Sequence, residues 1–304
     1  MSRDFAPPVL EDFREEGSRR LHSQTAFAGP LERPSPANQS EIRQDREAAR
    51  SCHRSDARVP DRRAVFYERD RAHRLRESER HTVAELGKFR LIPTEDLKRH
   101  AYQNHPEEMK QDIRSLLRQG LIRTGAFADL VRPPREMLTL TEEGYRLVRT
   151  NRLVPDDQFI YHGFHKPKEA CHDADIYRLY QKGAAQIEAE GGTNLHVVLQ
   201  FELQGKLNRE LARWGTESRE DIASRYQLQV VGEKVPLPDL RIEYQTPEGE
   251  TARVDLELLT EHYGLALLAE KVSAGFSLYA PPSETDRLRR ALNRRGLAAG
   301  VWSL

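Results

Sequence analysis

Apolar side chains between residues 81 and 153 recur first with the period of an α-helix and then with the period of a strand. Val83, Leu86 and Phe89 share one helical face, and a second, short helix is predicted after Pro93. A third helix is predicted to begin at Pro106 and to end at Gly120. Its buried face consists of Met109, Ile113, Leu116 and Leu117.

Two strands and a final helix complete this segment. Residues 121–127 and 135–141 alternate between apolar and polar positions, and residues 128–134 join them as a loop. Thr141, which precedes two glutamates, predicts the start of another helix. Helix, helix, helix, strand, strand, helix is the order of a winged helix-turn-helix, so residues 81–153 are predicted to form such a domain.

The segment 154–304 mixes both periods. We expect helices over 172–192, 207–215, 218–228, 261–279 and 288–296, and strands over 195–203, 235–245, 251–260 and 297–304. Such a mixture predicts an α/β domain over 154–304 and an α+β protein as a whole.

The first 80 residues lack a clear apolar period. Residues 1–60 are rich in Pro, Arg, Ser and Glu and contain only scattered apolar side chains, so they are predicted to form a disordered tail. Residues 61–80 are highly charged but compatible with a helix, and they are predicted to form a helical lead-in to the winged helix.

Charge is balanced over the whole chain but not along it. Lys and Arg number 48, as do Asp and Glu, which at first argues against a nucleic-acid partner. Residues 1–80 hold 17 basic against 15 acidic side chains, residues 81–153 hold 13 against 10, and residues 154–304 hold 18 against 23. The chain lacks a long apolar run or a secretory signal and has two cysteines, so we expect a cytoplasmic protein that does not enter a membrane.

The third helix carries the residues that could contact DNA. Away from its apolar face lie Lys110, Gln111, Arg114, Ser115 and Arg118, the types that contact base edges and phosphates from a helix in the major groove. Arg132 and Arg135, near the loop between the strands, could reach the DNA backbone as a wing. The expected partner is double-stranded DNA, bound by a monomer or by a homodimer; a protein-interaction scaffold is the alternative.

Acidic residues gather on two strands of the second domain. Asp255 and Glu257 are two residues apart and so share one face of a strand, and Asp239 on the neighbouring strand could join them. Converging carboxylates are the ligands that Mg²⁺ prefers, so Asp239 and Asp255 are candidate metal ligands. Glu202, at the end of the predicted strand 195–203, is a further candidate.

These residues resemble the core of the PD-(D/E)XK nucleases. Pro238 and Asp239 are followed by Asp255-x-Glu257, but Glu257 stands where that family has its lysine. Lys271, on the following predicted helix, could supply a displaced ammonium. If the site is active, the resemblance implies that Asp239, Asp255, Glu257 and Lys271 are catalytic and that Mg²⁺ is the cofactor.

The arrangement of the whole chain is more similar to the replication-relaxation family of plasmid and mobile-element proteins. The similar stretches are DIRSLLRQGLI (112–122), LTLTEEG (138–144), HD (172–173), LPD (237–239) and VDLELLTE (254–261), followed by Lys271. The resemblance implies an N-terminal winged helix followed by a restriction-endonuclease-like domain whose active site is degenerate.

The functional expectation is therefore a DNA-binding protein of plasmid or mobile-element replication, mobilisation or transcriptional control, without nuclease activity. One alternative is a Mg²⁺-dependent DNA endonuclease. The other is the scaffold in which the winged helix binds protein.

Overall fold

The computed structural model describes residues 62–128, 133–165, 169–213, 218–260, 263–294, 296–297 and 300–304. Within these ranges the chain forms nine helices and ten strands in three sheets, which confirms the predicted α+β class. The tail over 1–60 and Arg132 both lie outside the described residues.

The prediction of a helix over 61–80 is wrong. Strands β1 (Ala64–Glu68) and β2 (Arg71–Leu75) form an antiparallel hairpin, and helix α1 (Glu77–Lys88) begins only after it. The inward face of the hairpin includes the buried residues Glu68 and His73. Because these two are polar, the period of two was not visible as an alternation of apolar side chains.

The elements predicted between 81 and 153 are present in the predicted order. Strand β3 (Ile92–Pro93), helix α2 (Thr94–His100) and helix α3 (Pro106–Arg118) follow α1. Strands β4 (Ile122–Phe127) and β5 (Arg135–Leu140) pair antiparallel, β3 adds to β5, and helix α4 (Glu142–Thr150) follows. Gly120, with a φ of 73°, ends α3, and the Thr141 hydroxyl accepts a hydrogen bond from the Gly144 N–H at the start of α4.

The second half of the chain is built around a five-stranded mixed sheet. Helix α5 (Ala170–Ala189) precedes strand β6 (Thr193–Leu199), which is followed by helices α6 (Gln200–Arg213) and α7 (Arg219–Arg225). The remaining elements are β7 (Leu240–Gln245), β8 (Thr251–Leu258), α8 (Leu265–Ser273), β9 (Ser277–Ala280), α9 (Pro282–Arg294) and β10 (Val301–Ser303). The strand order is β10-β9-β8-β7-β6, antiparallel from β6 to β8 and parallel from β8 to β10.

Several boundaries in this half differ from the prediction, two of them by a change from strand to helix or from helix to strand. The strand expected over 195–203 ends at Leu199, and Glu202 therefore lies on α6, where Leu203 and Leu207 are buried four residues apart. The helix expected over 261–279 ends at Ser273, and β9 follows it. Short apolar runs suit a strand and a buried helix equally, so the first boundary was not visible in the sequence. At the second boundary, Gly275 adopts a φ of 80°, which is incompatible with a continuing helix.

One apolar core crosses the predicted domain boundary at residue 153. It includes Leu86, Phe89 and Leu138 from the first half and Tyr177 and Leu256 from the second. Helix α5 packs against both halves, and it is held by ion pairs of Arg178 with Asp96 (2.7 Å) and of Arg90 with Asp173 (3.0 Å). None of the described helices is long and apolar enough to cross a membrane.

Candidate functional site

The exposed face of α3 contains four of the seven residues that the sequence predicts to contact DNA. Lys110, Gln111, Arg114 and Arg118 are all exposed. Lys110 pairs with Glu107 (2.8 Å), whereas the side chains of Arg114 and Arg118 form no ion pair with the described carboxylates. Ser115 is buried and is therefore removed from the candidate contacts.

A buried polar network fixes the orientation of α3. Asp112, on the inner side of the helix, accepts a hydrogen bond from the Tyr102 hydroxyl (3.0 Å) and pairs with Arg76 (2.5 Å). Tyr102 also contacts the Thr82 hydroxyl on α1 (2.5 Å). Burial raises the pKa of the Asp112 carboxyl, and hydrogen bonds from Ser78 and Tyr102 with the charge of Arg76 oppose that rise. The network joins α3 to α1 and thereby holds the exposed face of α3 outward.

Of the two predicted wing residues, Arg135 is the one that the structure describes, and it is less available than predicted. Arg132 lies outside the described residues, and Arg135 faces α5 instead of solvent. The Arg135 guanidinium is 3.5 Å from the Asp175 carboxylate and donates to the carbonyl oxygen of Cys171 (3.4 Å). Arg123 on β4, which the sequence did not single out, is exposed, and its guanidinium lies over the Phe164 ring at 5.0 Å. Arg123 is the better candidate for a basic contact on this sheet.

Three of the four predicted catalytic residues meet at one end of β7 and β8. Lys271 Nζ on α8 lies 2.8 Å from Glu257 Oε1, and it also donates to the carbonyl oxygen of Leu237 (2.7 Å). The Glu257 Oε2 atom accepts the N–H of Asp239 (3.2 Å), and Asp239 Oδ2 accepts the N–H of Leu258 (2.9 Å). Asp239, Glu257 and Lys271 therefore form one hydrogen-bonded group, which we call the carboxylate cluster.

Two further side chains join the carboxylate cluster. His172 on α5 places Nε2 3.5 Å from Asp239 Oδ1, and the Tyr263 hydroxyl donates to Glu257. Burial lowers the pKa of the His172 imidazole, but its hydrogen bond with Asp239 and the charges of nearby aspartates outweigh this, so the pKa is raised. Burial and the charge of Asp239 raise the pKa of the Glu257 carboxyl to about 7, although Lys271 and Tyr263 favour its ionised form. The sequence pointed to His172 only through the family resemblance and gave no signal for Tyr263.

Asp255 is engaged outside the carboxylate cluster. Both of its carboxylate oxygens accept from Arg241, at 2.7 and 2.9 Å, and Arg253 lies 3.7 Å away. Arg241 is the cross-strand partner of Asp255 in the β7–β8 register and is buried. A buried guanidinium thus engages both oxygens of Asp255, so this arrangement does not support the prediction that Asp255 is a metal ligand. Glu202, the further candidate, pairs with Lys206 on its own helix (2.6 Å).

The arrangement does not fit a resident Mg²⁺ ion. Such an ion needs several oxygen ligands that are free of competing cations. Here Glu257 faces Lys271, Asp255 faces Arg241, and Asp239 faces His172. Among the described residues, no group of three or more His, Cys, Asp or Glu side chains could hold a metal ion.

A pocket of about 290 Å³ lies between the two halves of the chain and reaches the carboxylate cluster. Asp239 and His172 line it together with the Arg90 guanidinium, which pairs with Asp173 and lies 4.5 Å from the Phe201 ring centre. The carboxylates of Glu169, Asp173 and Asp239 line the pocket. The negative charge of Asp239 would repel a phosphate group that entered the pocket. The full lining is Phe89, Arg90, Glu169, His172, Asp173, Ile176, Leu199, Gln200, Phe201, Gln204 and Asp239.

Comparison with known proteins adds no relative. No protein-family model, no curated protein and no solved structure matches the chain.

Proposed function

We propose that the protein binds double-stranded DNA through α3. The observation that carries this proposal is the exposed face of α3, where Lys110, Gln111, Arg114 and Arg118 are directed outward by the buried network around Asp112. A helix with amide and guanidinium groups on its open face suits base edges and phosphates in the major groove.

The element order supports a winged helix-turn-helix as the DNA-binding unit. Three helices precede two antiparallel strands, the short strand β3 completes a three-stranded sheet, and α4 closes the unit. In a winged helix, α3 would be the recognition helix and the β4–β5 loop would be the wing.

We propose that the second half of the chain is a nuclease-like domain that positions the DNA-binding unit and does not cut DNA. The mixed sheet supports this fold: β6, β7 and β8 pair antiparallel, α8 follows β8, and β9 pairs parallel with β8. Asp239 lies directly before β7, and Glu257 lies on the adjacent strand β8. The ion pairs of Lys271 and Arg241 supply the positive charge that a metal would otherwise supply. A role in replication, mobilisation or transcription of a plasmid or mobile element fits this combination and rests on the resemblance to the replication-relaxation family.

Replacing Lys110, Arg114 and Arg118 together by alanine should weaken binding to duplex DNA about a hundredfold in about 0.05 M salt. Three cationic side chains are lost from the proposed groove-facing surface, while alanine preserves the helix. Fluorescence anisotropy with labelled random-sequence duplexes measures the affinity.

The matched control replaces Arg290 and Arg294, which are exposed on α9, by alanine. These substitutions remove charge from a different surface and should leave the affinity within about twofold. Equal binding by the triple α3 variant and the parent protein would refute the assignment of α3 as the DNA-binding helix.

Endonuclease activity is the second candidate, because a lysine ammonium lies within the carboxylate cluster; the ion pair that places it there, 2.8 Å from Glu257, also occupies that carboxylate. Supercoiled plasmid incubated with the protein and Mg²⁺ or Mn²⁺ should remain supercoiled, because Glu257 is already paired with Lys271 and Asp239 is already in contact with His172. Nicking by the parent protein that is lost in Asp239→Ala would overturn this expectation and make the carboxylate cluster an active site.

A further inference from the structure

The β1–β2 hairpin and the residues on either side of it are rich in arginine. Residues 62–76 carry six arginines against Glu68 and Asp70, whereas the complete chain has no net charge. The six are Arg62, Arg63, Arg69, Arg71, Arg74 and Arg76.

The inner face of the hairpin is bound to α4. Glu68 is buried and pairs with Arg146 (2.7 Å), while Arg71 pairs with Glu143 (2.6 Å). His73, also buried, lies 3.2 Å from the same Glu143 carboxylate. These contacts pair Glu68 with a cation and fix the hairpin on the body of the protein.

The hairpin also contacts the C-terminal half of α3. The backbone N–H and carbonyl oxygen of Arg74 both bond to the Gln119 amide, at 3.1 and 3.2 Å. Arg63 donates to the Ser115 hydroxyl (3.3 Å) and pairs with Glu79 (3.0 Å). Arg76 pairs with Asp112 as part of the network that orients α3. The hairpin is therefore held in a fixed position beside the proposed recognition helix.

The outer face of the hairpin is open. Val65, Ala72 and Arg74 are exposed, and Tyr67 is 60% exposed; Arg62, also exposed, lies two residues before β1 at the open end of the hairpin. Cross-strand pairing brings Val65 opposite Arg74 and Tyr67 opposite Ala72, so the strand residues form one surface. The result is an arginine-flanked aromatic surface that is presented next to α3.

We propose that the outer face of this hairpin is a second DNA-contact element, which grips the phosphate backbone of the duplex that α3 reads. This proposal rests on the proposed function, which is DNA binding through α3. It adds a contact between the hairpin and the DNA beyond the C-terminal end of α3. Positive charge complements phosphate, and it is supplied by the guanidinium groups of Arg74 on this face and of Arg62 at the open end of the hairpin. Because phosphates carry no sequence information, the hairpin adds affinity and orientation without adding sequence selectivity.

The test is the salt dependence of DNA binding by the Arg62→Ala/Arg74→Ala variant of the full chain. Each lost phosphate contact should reduce the slope of log affinity against log salt by about 0.9, so the two together should reduce it by about 1.8. Affinity should fall about tenfold for every duplex sequence tested. Both side chains are exposed, so the melting temperature should not change, and Arg290→Ala/Arg294→Ala serves as the charge-matched control.

The outcomes separate this inference from the proposed function. An unchanged slope in the hairpin variant, with binding lost in the triple α3 variant, would overturn the hairpin contact and leave the function of α3 in place. If the parent protein does not bind DNA, both proposals fail.

The alternative partner for the outer face of the hairpin is a second copy of the chain. Val65→Ser/Tyr67→Ser, analysed by sedimentation, should leave the molecular mass unchanged. If the molecular mass of Val65→Ser/Tyr67→Ser is half that of the parent protein, the face joins two copies of the chain. If, in addition, the salt slope of Arg62→Ala/Arg74→Ala equals that of the parent protein, the DNA contact is refuted.

Discussion

Replacing Lys271 by methionine is expected to lower the free energy of unfolding by about 3–5 kcal/mol at about pH 8, because it removes the cation from a buried ion pair. The Lys271 and Glu257 side chains are only 8% and 1% exposed. Methionine fills a similar volume, so the loss of charge dominates over the loss of packing. Urea denaturation followed by circular dichroism measures the change.

The loss of stability caused by Lys271→Met should increase as the pH rises. The pKa of the Glu257 carboxyl is raised from 4.5 to about 7, so the native protein holds a proton that the unfolded chain releases. The free energy of unfolding therefore falls as the pH rises through this window, and removing Lys271 extends the fall to higher pH. We expect a small deficit for Lys271→Met near about pH 5, where Glu257 is protonated, and the full deficit near about pH 8.

Two further variants test this explanation. Glu257→Gln combined with Lys271→Met should recover most of the lost stability and remove the pH dependence that Glu257 contributes, because neither position then carries a buried charge. Lys234→Met removes a side chain that is 74% exposed and 3.6 Å from Glu270, so it should change stability by less than about 0.5 kcal/mol. A deficit below about 1 kcal/mol for Lys271→Met at about pH 8 would contradict the ion pair between Lys271 and Glu257.

Replacing Gly144 by alanine is the second change with a large expected effect. A Cβ atom at Gly144 would lie 2.0 Å from the backbone oxygen of Leu121, where no flexible side chain can move aside. The start of α4 would have to move away from β4, and the Thr141 cap at this position would be disturbed. We expect a loss of about 2–4 kcal/mol, which lowers the melting temperature by roughly 5–15 °C in differential scanning calorimetry.

Gly205 on α6 provides the matched control. No atom outside its own helix backbone lies within 4 Å of a Cβ built there, so alanine should raise stability by about 0.5–1 kcal/mol through its higher helix propensity. If the Gly144→Ala variant melts at or above the temperature of the parent protein, the close approach of α4 to Leu121 is wrong.

The sequence predicted the region of α3 to α4 well because each element there carries local signals. Pro106 begins α3, Gly120 ends it, and Thr141 caps α4, and these residue types act through backbone geometry that does not depend on distant contacts. The exposure of Lys110 and Arg114 also follows from helical periodicity alone.

The candidate site was predictable only in part because its decisive contacts join distant elements. Strand periodicity placed Asp255 and Glu257 on one face. However, Arg241 lies opposite Asp255 on the neighbouring strand and forms an ion pair with it, and the sequence does not reveal this cross-strand register. His172 reaches Asp239 from α5, and Arg135 turns to Asp175 on the same helix. Each of these outcomes depends on how α5 packs, and local patterns do not specify that packing.

The common core across residue 153 has a practical consequence for work with pieces of the chain. Phe89 packs edge-on against Tyr177 with ring centres 5.0 Å apart, and it is 1% exposed. A fragment that stops before α5 would present this ring and its neighbours to water, which favours aggregation. A DNA-binding unit excised at that point would then be insoluble for reasons unrelated to DNA, whereas a fragment that retains α5 would still lack the sheet against which that helix packs.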